Sequence, residues 1–138
     1  ISFTKKWMNQ ARALVHVYTD GSVGVSTGAV EMGQGVNTKL IQVAARCLGV
    51  RPERVKLETT NTTRIANTSP SAASATSDLN GKALQLACNA LTERLAGVAR
   101  VKLGFSENQR IELRDEKLWV DGSPTGLDWK ALIWEAYT

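Results

Sequence analysis

Two short turns of small and polar residues each run directly into a segment with helical periodicity. The first, residues 31–35 (Glu-Met-Gly-Gln-Gly), is named here the glycine turn, and the second, residues 67–74 (Asn-Thr-Ser-Pro-Ser-Ala-Ala-Ser), the serine turn. Glycine lets backbone approach a ligand closely, the first N–H groups of a helix attract anionic oxygen, and serine hydroxyls are adaptable donors. Together the turns predict a cradle for a phosphate-bearing cofactor.

Few other residues stand at catalytic or metal-ligating spacing. His16, the only histidine, lies between two valines with no second histidine or carboxylate at ligand spacing. A hydrogen-bonded residue on a strand face is therefore expected, not a metal ligand or a base. No serine–histidine or cysteine–histidine hydrolase pattern has local support. Glu31 is a conceivable general base, but inside a tight turn we expect it to bond backbone groups and fix the loop.

The two cysteines, Cys47 and Cys88, fall on apolar positions of predicted helices. We expect buried, reduced thiols, because nothing in the sequence indicates an oxidising compartment, and a disulfide between them remains an alternative. Two thiols are too few for an iron–sulfur cluster, which needs about four. The expected location of the protein is the cytoplasm.

Composition limits the function classes that the chain can serve. Its 138 residues are 43% hydrophobic and 22% charged, with a formal net charge of +4. This length and hydrophobic content suffice for one ordinary core, so residues 1–138 are predicted to form a single domain. The basic residues are scattered, with Lys5-Lys6 the only adjacent pair, which disfavours nucleic acid as a partner. No apolar run approaches the roughly 20 residues that cross a bilayer, so no membrane partner is expected.

Periodicity predicts the elements that position the two turns. Residues 11–19 alternate like a strand, Asp20-Gly21 is a two-residue hairpin turn, and residues 22–26 return as the partner strand. Residues 38–48 carry a helical apolar stripe that ends at Gly49, and residues 55–59 alternate as a further strand.

A long helix with Gly81 inside it is predicted after the serine turn. Its apolar stripe is Leu84, Ala87, Leu91, Leu95 and Val98. Residues 111–113 and 118–120 form a second hairpin around Asp115-Glu116, and a short helix follows Asp128. The predicted fold class is α+β, a mixed β-sheet with hairpins packed against two main helices and a short C-terminal helix.

Both turns belong to an ordered series of motifs. The series is Ile1-Ser2-Phe3-Thr4, Asn9-Gln10-Ala11, residues 15–23, the glycine turn, Thr38-Lys39, Gln42-Val43-Ala44, the serine turn and Asp78-Leu79-Asn80-Gly81. It resembles the molybdenum-binding part of xanthine dehydrogenases and aldehyde oxidases, closest to xanthine dehydrogenase, from Ile1 to about Leu95. Residues 27–30 (Thr-Gly-Ala-Val) depart from the family, where a histidine and paired glycines are common.

The resemblance implies a molybdopterin, a pterin dithiolene with a phosphate, held by its polar edges. Met32, Gly33 and Gln34 are expected along the pterin, with the Gln34 amide offering both a donor and an acceptor. Four residues are expected on the other side, through hydroxyls and helix N–H groups: Ser71, Ala73, Ser74 and Thr76. The simpler alternative is a serine-rich loop that caps a helix, with Ser69 or Ser71 as the N-cap and Pro70 near the first helical turn.

By the same resemblance, Phe3 and Thr4 match a segment that lines the substrate pocket. A ring there can stack on a planar heterocycle, and the threonine can supply a hydrogen bond. The alternative is that Phe3 is only a buried anchor at a strand edge.

The resemblance also implies what this chain lacks. The family's glutamate base lies in a later Gly-Glu motif that has no match after Leu95, so no catalytic residue and no metal ligand is assigned. We therefore expect an excised part of the molybdopterin-binding region of a larger oxidoreductase, inactive when isolated, with iron–sulfur clusters and FAD in other domains or subunits. The parent is expected to hydroxylate purines such as hypoxanthine and xanthine with water-derived oxygen, in purine catabolism.

Two alternatives stay open from the sequence. One is an aldehyde oxidase or another N-heterocycle oxidase of the same family. The other, from a different class, is a non-catalytic binding or assembly module that has kept the turns without the chemistry.

Overall fold

The computed structural model describes residues 9–58, 60–65 and 68–138. Phe3, Thr4 and Asn67 therefore lie outside the described residues. The described elements follow this order along the chain: β1 (Ala13–Val17), β2 (Val23–Thr27), α1 (Val36–Leu48), β3 (Val55–Leu57), α2 (Ala75–Leu103), β4 (Ile111–Arg114), β5 (Lys117–Val120), β6 (Ser123–Asp128) and α3 (Trp129–Tyr137).

The first sheet is mixed and has the strand order β1-β2-β3. β1 pairs antiparallel with β2, and β3 pairs parallel with it. The connecting turn is longer than the predicted two residues, because the Tyr18 N–H donates to Ser22 O and the Gly21 N–H to Tyr18 O. Gly21 has φ +81°, which is the left-handed residue that a three-residue hairpin loop requires.

Helix α1 packs against β3 and α2. Val36, Leu40, Ala44 and Leu48 are buried at four-residue intervals, which is the spacing of one helix face. Gly49 ends the helix as predicted: its φ is +66°, and its N–H donates to Ala45 O.

Helix α2 packs against β1, α1 and α3. Leu84, Cys88, Leu95 and Ala99 are buried on this helix, while the predicted stripe residues Leu91 and Val98 are partly buried beside them. The helix begins at Ala75, at the end of the serine turn. No helix among the described residues is long and apolar enough to cross a membrane.

The second sheet is antiparallel, with the order β4-β5-β6. Asp115 and Glu116 both have positive φ at the β4–β5 turn, as the predicted hairpin requires. Strand β6 was not predicted, because its Pro124 and Gly126 are residues that disfavour strands. Asp128 caps α3 by accepting a 2.8 Å hydrogen bond from the Ala131 N–H.

The predicted α+β class is confirmed, and within the described residues the fold has three α-helices, one short 3-10 helix (Pro52–Arg54) and two three-stranded sheets. One buried apolar cluster links the parts, from Val25 in β2 and Leu84 in α2 to Leu118 in β5 and Trp129 in α3. The glycine turn leads from β2 into α1, and the serine turn leads into α2. This core therefore fixes both turns at the starts of neighbouring helices.

Candidate cofactor site

Glu31 organises the glycine turn. Its Oε1 accepts hydrogen bonds from the N–H groups of Gly33 (2.9 Å) and Gly35 (3.0 Å), and its Oε2 accepts one from Asn37 (3.0 Å). These bonds, that from Asn37 first, hold the pKa of the Glu31 carboxyl below its ordinary value. The expectation that Glu31 bonds backbone groups and fixes the loop is confirmed.

The Gln34 side chain bonds within the same turn. Its Oε1 accepts from the Met32 N–H, and its Nε2 donates to Val30 O at 2.8 Å. The amide retains one further N–H and one further acceptor lone pair for a ligand. Its predicted contact with the pterin remains a prediction.

The serine turn is held by its hydroxyls. Ser69 Oγ accepts from the Gln10 N–H at 2.9 Å, and Ser71 Oγ accepts from the Val30 N–H at 2.9 Å. Neither serine caps α2, because the N-cap position is Ser74. The alternative with Ser69 or Ser71 as the N-cap is therefore wrong.

The bond between Ser71 and Val30 brings the two turns together, and it joins residues 41 positions apart in the chain. Close packing supports it: a Cβ added to Gly28 would lie 2.4 Å from Thr68 Oγ1. The Thr60 hydroxyl bonds the same strand end, with contacts of 3.2 Å to Thr27 O and 2.7 Å to Ala29 O.

Gly28, Val30, Thr60 and Thr68 were not assigned from the sequence. Of these four residues, only Gly28 could have been singled out from the sequence, because a glycine at a strand end indicates a close backbone approach.

The surface between the turns is open and shaped by unusual backbone. Gly33 has φ +94°, and a Cβ placed there would meet no atom within 4 Å, while Met32 is 67% exposed. Ala73 has φ +46°, a left-handed conformation that is strained for a non-glycine residue. Both features lie on residues predicted to contact the cofactor.

Both helix starts have an acidic side chain beside them. At α1 the carboxylate of Glu31 accepts hydrogen bonds from the N–H groups of Gly35 and Asn37. At α2, which spans 29 residues, Asp78 lies in the first turn. Each carboxylate lies at the positive end of its helix dipole.

Thr76 has little surface to offer a ligand. It is 4% exposed, and its carbonyl accepts a 3.0 Å hydrogen bond from Asn80 Nδ2. In the described part of the chain Asn80 Oδ1 is buried without a hydrogen-bond partner, so an unsatisfied acceptor lies one turn into α2.

His16 lies apart from both turns. It sits on the exposed side of β1 and makes an edge-to-face contact with Tyr18, with ring centroids 6.4 Å apart. Among the residues that the structure describes, no group of three or more His, Cys, Asp or Glu could hold a metal ion.

Comparison with known proteins identifies the family. The model of the molybdopterin cofactor-binding domain matches residues 1–138. The chain belongs to this family. The members that it resembles include the xanthine dehydrogenase/oxidase of Gallus gallus, 50% identical over 126 residues, and the xanthine dehydrogenase of Emericella nidulans, 57% identical over 95 residues.

This molybdopterin-binding chain is short beside its relatives. The Gallus alignment covers 91% of this chain but 9% of that protein, and the Emericella alignment covers 69% and 7%. The chain therefore spans less than a tenth of the length of either relative.

Solved structures share the fold. Quinoline 2-oxidoreductase from Pseudomonas putida 86 superposes with a TM-score of 0.81 at 27% identity, over 92% of this chain and 16% of that one. CO dehydrogenase from Oligotropha carboxidovorans gives 0.79 at 24% identity, over 90% and 15%. The second match shows similarity of fold alone.

The residues at this site fit the cofactor that names the family. Open backbone at Gly33 leaves room for a flat ring, and the serine hydroxyls can donate to a phosphate. The donors are neutral and mostly backbone, which matches a ligand held by its organic edges and not through the metal.

Proposed function

We propose that this chain forms one side of the molybdopterin site in a xanthine dehydrogenase-like oxidoreductase. The observation that carries the proposal is the 2.9 Å hydrogen bond from the Val30 N–H to Ser71 Oγ. Because of it, the glycine turn and the start of α2 face a ligand as one surface. The family match and the two xanthine dehydrogenase relatives support this assignment.

In this proposal each turn has its own part of the ligand. Met32, Gly33 and Gln34 lie along the pterin, where the open backbone at Gly33 allows close approach. Ser71, Ala73, Ser74 and Thr76 lie at the phosphate side, where Thr76, at 4% exposed, has the least surface for a contact. We assign the anion to the hydroxyls of Ser71 and Ser74, since the carboxylate of Glu31 already bonds the first N–H groups at α1.

The chemistry belongs to the assembled enzyme. When bound, the molybdenum cofactor supplies the centre at which a water-derived oxygen is added to a purine carbon and two electrons are taken up. The residues of this chain hold and orient the cofactor; none is assigned as catalytic, and the isolated chain should be inactive. Phe3 and Thr4 remain the residues proposed for substrate contact.

The remaining partners follow from the same proposal. Residues 1–138 act as one unit of a larger molybdopterin-binding region, with iron–sulfur and FAD domains elsewhere in the parent. Cys47 and Cys88 are free thiols, which fits a reducing compartment, so we place the parent in the cytoplasm.

A second candidate substrate class is another N-heterocycle. Quinoline 2-oxidoreductase, whose name gives a nitrogen heterocycle as its substrate, superposes on this chain with a TM-score of 0.81. A substrate profile of the full-length enzyme separates the two classes: faster turnover of quinoline than of hypoxanthine or xanthine would favour the second.

The test of cofactor binding uses two matched glycines in the full-length enzyme. Gly33 and Gly122 both have positive φ and open space around the Cβ position, and asparagine tolerates such backbone best. We expect Gly33→Asn to lose most of its molybdenum and acid-released fluorescent pterin, because its side chain enters the ligand space. Gly122→Asn, in the β5–β6 turn, should retain both.

Equal cofactor content in the two variants would exclude the glycine turn from the site. A full-length parent without any pterin or molybdenum would instead support the non-catalytic binding module.

A further inference from the structure

One peptide unit between β2 and the glycine turn is held on both sides by hydroxyl groups. Its carbonyl, Ala29 O, accepts a hydrogen bond from the Thr60 hydroxyl at 2.7 Å. Its N–H, that of Val30, donates to Ser71 Oγ at 2.9 Å. Because the C=O and N–H of a trans peptide point in opposite directions in one plane, Thr60 and Ser71 together fix the orientation of this peptide plane.

Thr60 acts on this peptide through its hydroxyl and not through packing. The hydroxyl oxygen lies 2.7 Å from Ala29 O and 3.2 Å from Thr27 O; since a hydroxyl carries one hydrogen, the shorter contact is the main bond. Ala29 and Thr27 are 1% and 2% exposed, so their buried carbonyls depend on a protein donor. Thr60 itself is exposed, so its methyl group adds little to the core.

The first sheet holds β2 in place independently of this bond. β2 is the central strand and pairs with both β1 and β3. The strand ends at Thr27, and the Ala29 carbonyl lies two residues beyond it. Loss of the Thr60 hydroxyl should therefore release the peptide after the strand and leave the sheet intact.

The orientation of this peptide determines the position of the Gln34 side chain. The Gln34 amide donates to Val30 O at 2.8 Å and accepts from the Met32 N–H, so a rotation of the backbone at Val30 displaces the amide. A group that contacts a ligand has to be held within about 0.5 Å of its productive position by the hydrogen bonds behind it. The bond from Thr60 to Ala29 O is a support of this kind.

We propose that Thr60 is a positioning residue for the cofactor. Its hydroxyl holds the peptide between Ala29 and Val30, and this peptide places the Gln34 amide against the pterin. The inference rests on the proposed function, in which Gln34 lies along the pterin. Thr60 acts through the glycine turn, and no ligand contact is assigned to it.

The test compares three variants of the full-length enzyme. Thr60→Val keeps the shape of the side chain without the hydroxyl, and Thr60→Ser keeps the hydroxyl. Thr63→Val, the matched control, removes an exposed hydroxyl that bonds Asn61 in the same loop. The quantity measured is the rate at which each enzyme loses bound pterin, followed by the fluorescence of the pterin that acid still releases from the protein.

Thr60→Val should lose pterin at least about tenfold faster than wild type, a change of the size of one hydrogen bond. Thr60→Ser and Thr63→Val should stay within about threefold of the wild-type rate. A wild-type rate in Thr60→Val, or equally fast loss from all three variants, would overturn the proposal.

Hydrogen exchange separates positioning from a general structural role. In Thr60→Val the Val30 and Met32 amides should exchange at least about tenfold faster than in wild type. The amides of β2 and the urea midpoint of unfolding should not change. Faster exchange throughout the first sheet with a lowered midpoint would show that Thr60 only stabilises the fold, which contradicts the inference.

Gly33→Asn separates this inference from the proposed function. If Gly33→Asn lacks pterin while Thr60→Val retains it as wild type does, the cofactor site stands and the role of Thr60 is refuted. If the wild-type enzyme contains no pterin, the cofactor site is refuted, and the role of Thr60 is refuted with it.

Discussion

One carboxylate of the glycine turn replaces the cap that α1 lacks. The residue before α1 is Gly35, which has no side chain to cap the helix. The carboxylate of Glu31 bonds the Asn37 N–H in its place, from six residues upstream of Asn37. The same carboxylate holds Gly33 and Gly35. A ligand therefore meets a turn whose shape is set before binding, which lowers the entropic cost of binding.

Glu31→Gln should lower stability at neutral pH and alter its pH dependence. The folded-state pKa of Glu31 is lowered by the backbone N–H bonds, that from Asn37 first. Its stabilisation is therefore complete above the ordinary value of 4.5 and is lost as the pH falls through the lower folded-state pKa. Urea unfolding from pH 7 downwards should show wild type and variant converging in acid.

The control for this prediction is Glu107→Gln, an exposed glutamate in another loop. It should follow wild type over the whole pH range. A constant gap between wild type and Glu31→Gln at every pH would argue that shape, and not charge, matters at this position.

Gly28→Ala should destabilise the chain by roughly 1–3 kcal/mol, the usual cost of overpacking. The new Cβ would lie 2.4 Å from Thr68 Oγ1 and 2.6 Å from Thr68 Cγ2, so the serine turn must shift away from β2. Adding Thr68→Ala removes both atoms and should restore part of the loss in a double-mutant cycle of unfolding free energies. Strict additivity would show that the two residues do not press on each other.

At the scale of elements, the sequence predicts what local patterns determine. The stripe in α1, its end at Gly49 and the Asp128 cap of α3 depend on residues within a turn or two of each other, and all three agree with the structure. Strand β6 was missed because its pairing with β5 overrides the local bias of Pro124 and Gly126.

At the candidate site, too, the local contacts could be predicted from the sequence and the long-range contacts could not. Glu31 was predicted to bond its own turn, and its partners lie two to six residues away. The contact of Val30 with Ser71 spans 41 residues, and nothing near either residue specifies it. The resemblance to the family identified both turns from the sequence. The hydrogen bond that joins them could be found only in the folded structure.

Replacing one glycine of helix α2 by alanine should raise the stability of the protein. Gly97 lies in the helix, and a Cβ there would meet no atom within 4 Å, so Gly97→Ala should stabilise by about 0.5–1 kcal/mol through lower unfolded-state entropy. Gly104 is equally open but has φ +76° at the C-cap, so Gly104→Ala should lower the stability of the protein by about 1–2 kcal/mol. The urea midpoint at an unchanged m-value measures both, and equal shifts would refute the backbone argument.

At the scale of the molecule, two residues connect the sheets. The indole N–H of Trp129 donates to Gly21 O at 2.8 Å, in the hairpin turn of the first sheet. Its backbone N–H donates to Glu116 O at 2.8 Å, in the second sheet. Glu116 in turn donates its N–H to Gly49 O at 2.7 Å. Both sheets and the end of α1 are thereby linked, so they should unfold together.

Glu116→Gln should weaken this junction by about 1.5–3 kcal/mol, the range for hydrogen bonds to a charged group. The Glu116 carboxylate bonds Arg54, and also Arg51 at 3.2 Å, with its side chain only 18% exposed. The bond from Arg54 is the main cause that lowers the pKa of Glu116. The contribution is therefore present above the ordinary value of 4.5 and disappears as the pH falls through the folded-state pKa.

Glu112→Gln is the matched control for Glu116→Gln, because it breaks a glutamate–arginine pair in the same sheet. Its partner Arg110 is 80% exposed, so the loss should stay within about 0.5 kcal/mol. Thermal and urea unfolding should each show one transition for both variants, with the midpoint lowered clearly only for Glu116→Gln. If Glu116→Gln instead splits unfolding into two transitions, the carboxylate is required for cooperativity between the sheets, and the buried cluster around Trp129 alone does not maintain it.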